Sequence, residues 1–295
     1  MTLDAPGQGA LVDTADPRRA PGGPGPLGGK RTFRGRTAPS GSRIIAAIAR
    51  REILLASRRK LVRLLFLFSV IPPVILTVII LVRIFAEQAT GAKLGFDPLI
   101  QFLHFQAVPV ALLAFGLGTP LVAQDRAEDV LFLYATRPVA PWHYGLGKML
   151  AVALPCFGLL LFPGLLIAIL RLGITRELDT AAAIAMVAKI GFAGLVVAWG
   201  YAGLTVGPSA LTKRARWAQL LSFALFLIPG VIGSLVGELL RTDVPPIGAG
   251  SAITELLTAL LGDGEWGVAS TLILVGYGFL GYWVTTARVK REMIP

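Results

Sequence analysis

Cysteine, histidine and charge are all scarce in this chain. Cys156 is the only cysteine among 295 residues, so no intramolecular disulfide can form and no cysteine-based metal site is suggested. His104 and His143 are the only histidines, and neither has the spaced carboxylate or cysteine partners of a zinc site. A phosphate-binding loop is missing as well. Gly29-Lys30 is followed by Arg31 and lacks the upstream glycine, and Gly147-Lys148 is followed by Met149, so the chain is not expected to hydrolyse ATP. There is no Gly-x-Ser-x-Gly nucleophile elbow, and Ser222, Ser234 and Ser270 have no histidine near in sequence, which leaves only a hydrolase assembled from remote residues. No basic patch interleaved with aromatics stands on a folded domain, which makes nucleic-acid binding a poor reading.

What is present is apolar. Hydrophobic residues make up 55% of the chain and charged residues 15%, with a mean hydropathy of +0.71, a composition outside the soluble range. Runs without Asp, Glu, Lys or Arg extend over Leu64–Val82, Pro98–Gln124, Met149–Leu170, Ile190–Thr212, Trp217–Gly237 and Trp266–Ala287. Each reaches the ~20 residues that cross a ~30 Å hydrocarbon core. Six spans are therefore expected. In the first, the many Leu, Ile, Val and Phe residues offset Ser69, Pro72, Pro73 and Thr77. The fourth begins near Ala181 and carries Lys189 inside it.

Basic residues set the expected orientation. With the N-terminus inside, inner segments hold 22 Lys and Arg against 5 in the outer loops, which places both termini in the cytoplasm. The net charge of +11 is then mainly a topology signal and secondarily a hint of contact with anionic lipid. The N-terminal region has no apolar stretch of the signal-peptide kind, so the first span is expected to act as an uncleaved insertion signal. This pattern fits a bacterial inner membrane.

Residues Met1–Ser42 are rich in Gly and Pro and are expected to form a disordered cytoplasmic tail. It is a spacer, or a lipid or partner contact through Arg31, Arg34 and Arg36. The six-span domain follows from residue 43. From Arg43 to Lys60 the pattern becomes helical, with Ile44, Ala47, Ile48, Leu54 and Leu55 on one side and Arg50, Arg51, Arg58 and Arg59 supplying charge. That suits an interfacial helix along the inner leaflet. In the outer loop Glu238–Glu265, Ser251–Leu261 reads as a helix too short to cross. No internal repeat stands out, which weakens an inverted-repeat transporter.

The most function-specific stretch is the charged island Asp125–Lys148. Asp125 is placed to cap a short helix whose first turn carries Glu128 and Asp129, with Ala127, Val130, Leu131 and Tyr134 on one face. Pro138 and Pro141 stop it, and Trp142, Tyr144 and Lys148 are expected as interface anchors. Two ionisable groups, His104 and Lys189, sit within spans. His104 makes an inter-helix hydrogen bond or lines a path, and Lys189 snorkels outward or does the same. Glycines at Gly203 and Gly207, and at Gly233 and Gly237, permit close helix packing, within one subunit or across a dimer.

From about Arg43 to Arg291 the arrangement resembles the membrane subunit of the ABC-2-type transporter permease family. A basic interfacial helix precedes six spans, and a longer outer loop precedes the sixth. Asp125-Arg126 and Glu128 stand where such permeases carry acidic and basic residues. Thr136-Arg137-Pro138-Val139 is similar to their Thr-Pro-Val element, with Arg137 inserted. Tyr144–Lys148 is similar to the segment that opens their third span, and Ser209–Arg216 to their short second inner loop. The resemblance implies an all-α polytopic fold with six transmembrane helices, an N-terminal interfacial helix and a short cytoplasmic coupling helix. That helix would contact a separate ATPase subunit through Asp125, Arg126, Glu128, Asp129, Arg137 and Pro138. The resemblance further implies an exporter permease working as a homo- or heterodimer, with ATP and Mg held by the partner ATPase and no catalytic or metal site in this chain. The alternative from another class is a non-transporting membrane scaffold or regulatory anchor. A proton- or sodium-driven carrier is a third reading.

Overall fold

A computed structural model describes residues 40–90, 98–136, 139–175, 180–241, 244–261 and 267–293. Most of the expected N-terminal tail, together with Arg137, Pro138 and Trp266, lies outside the described residues. The described residues form α1 (Gly41–Ser57), α2 (Lys60–Thr90), α3 (Pro98–Gly118), α4 (Leu121–Ala127), α5 (Val130–Ala135), α6 (Pro141–Thr175), α7 (Thr180–Leu211), α8 (Ala215–Leu240), α9 (Ala249–Leu261) and α10 (Gly267–Met293). There is no strand among them. Six helical stretches are long and apolar enough to cross a membrane: Lys60–Arg83, Ile100–Ala127, Pro141–Ile169, Ala183–Leu211, Ala215–Leu240 and Gly267–Met293. The expected all-α, six-span, multi-pass architecture is the one observed. Long apolar runs can satisfy their backbone in lipid only by forming helix.

Helix α7 packs most extensively on α10 and next on α6. Glycine makes the first contact possible. A Cβ on Gly203 would strike the Tyr277 carbonyl, one on Gly281 would strike the Gly203 backbone, and one on Gly207 would lie 2.8 Å from Gly281 Cα. The Gly203–Gly207 pair is thus used inside one chain, where close backbone approach supplies the dispersion contact that lipid cannot. Gly233 instead lines a cavity of about 470 Å³ with Gly230, Gly237 and Ile247.

Three helices are tied together in the apolar core by one amide. Pro73 in α2 and Pro163 in α6 have no N–H to give to the carbonyls four residues earlier, Ser69 and Leu159. Gln106 of α3, fully buried, donates from Nε2 to Ser69 O at 2.8 Å and to Leu159 O at 3.2 Å. Its two amide hydrogens therefore serve the two carbonyls that the prolines orphan, which is how a proline is tolerated at membrane depth.

Two boundaries differ from expectation. The apolar run Pro98–Gln124 is not one helix: α3 ends at Gly118 and α4 restarts after Pro120. A side chain at Gly118 would collide with Thr205, and Pro120 cannot continue a helical ladder. The basic helix ends at Ser57 rather than Lys60, and α2 begins at Lys60. The inward face of α1 also differs. It consists of Ile48, Ala49, Glu52 and Ala56, while Leu54 and Leu55 point outward. A charged Glu52 displaces the leucines because a buried lysine of α6 awaits it.

Candidate functional site

The island folds as an elbow of two short helices. Asp125 does not cap a helix; it lies inside α4, and the chain turns at Asp129, which takes the left-handed conformation (φ 52°) before α5. Aspartate tolerates that conformation better than a bulky residue would. Asp129 makes no side-chain cap bond to α5.

Helix α4 is held from outside. Its leading residue Pro120 offers no side-chain cap, and Ser209 near the end of α7 takes that role: its Oγ accepts the Val122 and Ala123 N–H groups at 3.0 and 2.9 Å and donates to Thr119 O at 2.8 Å. Those are the orphan amides that an N-cap side chain normally satisfies. The exchange is reciprocal. Arg126 of α4 donates from Nη1 to Ala210 O in the last turn of α7 at 2.9 Å, a cation on helix-terminal carbonyls.

Arg126 is expected as an ATPase contact, yet it is only 4% exposed. Its guanidinium grips Glu292 of α10 through Nε, 3.0 Å from both Oε1 and Oε2, and through Nη2 at 2.7 Å from Oε1. Such a planar fork on a carboxylate is strong and orienting. Arg126 therefore fastens the elbow to the last span.

Tyr144 and Lys148, expected as interface anchors, are corrected in the same way, since both are fully buried. Lys148 Nζ lies 2.7 Å from Asp125 Oδ2 and 3.0 Å from Glu52 Oε1, and donates to Leu121 O at 3.2 Å. The Tyr144 hydroxyl donates to Asp125 Oδ2 at 2.8 Å. Arg51 adds a 3.4 Å contact to Glu52 and donates to the Tyr134 hydroxyl at 3.0 Å. Two cations thus meet two carboxylates in a neutral cluster. A charge taken out of water persists only when paired and hydrogen-bonded in this way. The cluster joins α1, α4, α5 and α6. Burial pushes the Tyr134 phenol above its ordinary value; Lys148 pulls it down and Asp125 adds to the rise.

Among the described residues, the other expected site residues are exposed or half-buried. Glu128 accepts from Gln124 Nε2 at 2.8 Å, and Gln124 Oε1 accepts from Arg59 Nη2 at 2.8 Å, which ties the elbow to the α1–α2 junction. Asp129 is exposed. Phe132 and Leu133 on α5 are 71% and 61% exposed. Trp142 is exposed and stacks on His143 with ring centroids 3.8 Å apart. His104 Nε2 is 3.2 Å from Thr254 O of α9, and Lys189 is exposed on α7. Among the described residues no group of three or more His, Cys, Asp or Glu could hold a metal ion.

Sequence reasoning missed Glu52, Ser209 as a cap, Glu292 and the outward Phe132. The acids had one available signal: each stands alone among basic or apolar neighbours, which is unusual for a merely solvated charge. No family model matches the chain, and no curated protein matches it.

Proposed function

We propose that this chain is the permease subunit of an ATP-driven transporter of the ABC-2 type, an exporter in a bacterial inner membrane. In this reading it works as a dimer with separate ATPase subunits that bind ATP and Mg. The observation that carries the reading is the elbow itself. Its outer side offers an apolar pair, Phe132 and Leu133, beside the acidic pair Glu128 and Asp129. Its inner side is bolted to four larger helices by Lys148, Arg126 and Ser209.

Such a part suits force transmission. Burying an exposed Phe or Leu side chain against a partner is worth roughly 1.5–3 kcal/mol, which favours docking of α5. A push on α5 meets buried charge pairs whose separation costs several kcal/mol, so the elbow moves α1, α6, α7 and α10 with it. A groove of about 450 Å³ between α1 and α5, lined by Ala47, Ile48, Arg51, Val130, Leu133 and Tyr134, gives a docked residue a place to seat.

The test is co-expression with a soluble ATPase subunit encoded beside this chain. Purified alone, the chain should show no ATPase activity; together, the two should co-purify. Phe132→Asp and Glu128→Arg should weaken the complex while leaving the thermal stability of this chain unchanged. If both variants keep full complex formation and stimulated ATPase activity, the elbow is not the docking site. If a stable complex forms but vesicles show no ATP-dependent transport, a membrane anchor replaces the permease.

A further inference from the structure

Helix α1 carries a second feature, which shares Ala47 and Arg51 with the groove beside α5. Its outward surface bears two parallel rows at helical spacing, Arg50–Leu54–Arg58 and Ala47–Arg51–Leu55, and the groove between them has a volume of about 450 Å³. Rows four residues apart form the natural ridges of a helix. Three guanidinium groups and two leucines line it, and no carboxylate does. The one acid nearby, Glu52, holds Lys148 at 3.0 Å and Arg51 at 3.4 Å, so Arg51 is shared with the buried cluster. Arg50 and Arg58 are exposed and have no carboxylate within ion-pair distance among the described residues.

We propose that this groove binds the phosphodiester headgroup of an anionic phospholipid. Guanidinium forks match phosphate oxygens in pairs. Leu54 and Leu55, 54% and 42% exposed between the arginines, suit the glycerol and upper acyl carbons. Exposed Leu61 and Leu64 follow at the start of the α2 span, so the chain beyond the groove offers apolar groups to the acyl tails. A nucleic acid or an acidic protein would meet the arginines but would leave the leucines in water. The proposal is independent of the transport reading.

The full chain in neutral detergent is titrated with phosphatidylglycerol, phosphatidylcholine and inorganic phosphate, with bound lipid read by native mass spectrometry. Phosphatidylglycerol should bind in preference to phosphatidylcholine. Arg50→Gln with Arg58→Gln should lower its affinity by about fivefold for each arginine removed, with an unchanged unfolding temperature. Each single variant gives the same reading should the pair fail to fold. Lys290→Gln with Arg291→Gln, exposed cations on α10 away from the groove, should leave the affinity unchanged. Equal binding of phosphatidylcholine, an undiminished affinity in the groove variants or an equal loss in the α10 control would overturn the proposal. So would displacement of the lipid by inorganic phosphate or by a polyglutamate peptide at the lipid's own concentration.

Discussion

Gln106 donates to the backbone carbonyl of Ser69 at 2.8 Å, the carbonyl that Pro73 leaves without its helical partner. Interhelical hydrogen bonds in membranes average only about 0.6 kcal/mol, because the unfolded chain also finds partners. Here the proline removes the usual alternative, so Gln106→Leu is expected near the upper end of the measured range, roughly 1.5 kcal/mol. Pro73→Ala returns an N–H to Ser69 O, and the cost of Gln106→Leu should shrink in that background. A double-mutant cycle on unfolding in detergent measures the coupling. Strict additivity would mean that the amide and the proline are unrelated.

Lys148 is the second position where loss should be severe. Lys148→Met leaves Glu52 and Asp125 facing each other around an apolar group, and breaking a buried pair costs about 3–5 kcal/mol. Adding Glu52→Gln and Asp125→Asn removes the stranded charges and should recover most of that loss. Folded yield and unfolding temperature of the single and triple variants provide the check. A single variant as stable as the parent would show that the cluster is solvated.

The six spans were legible because an uninterrupted apolar run longer than ~20 residues has few ways to fold in lipid. The elbow was legible as a charged island but not as a bend, since the cap that starts α4 after Pro120 is Ser209, arriving from α7, and nothing in the local pattern marks Asp129 as left-handed. Lys148 was misread for the same reason. Standing at the start of an apolar run it looks like an anchor, and only the fold brings Glu52 and Asp125 to it. Periodicity on α1 likewise grouped Leu54 and Leu55 with Ile48, because hydropathy alone cannot weigh a buried ion pair against two leucines.

Tyr134 yields a pH dependence. Its folded-state pKa lies above the free-tyrosine value of 10.0, with burial the main cause. A group whose pKa rises on folding contributes stability that is fully present below pH 10.0 and is lost as pH climbs through the folded value. The parent should therefore lose more stability than Tyr134→Phe above that pH. Parallel alkaline slopes for the two proteins would show that the phenol is free in solvent.

Ser209 tests whether the elbow acts as a rigid handle. Its hydroxyl is the only side chain that caps α4 among the described residues, and removing an N-cap costs about 1 kcal/mol. In Ser209→Ala, hydrogen exchange should quicken at Val122 and Ala123, while α5, which makes no bond to Ser209, stays as before. Under the proposed transporter reading, docking of an ATPase through Phe132 and Leu133 should then persist, because those side chains are untouched. Under the same reading, transport per ATP hydrolysed should fall, because a looser α4 yields before α7 moves. Complex formation and coupling thus separate in one variant, whereas a loss of both together would assign Ser209 to folding alone.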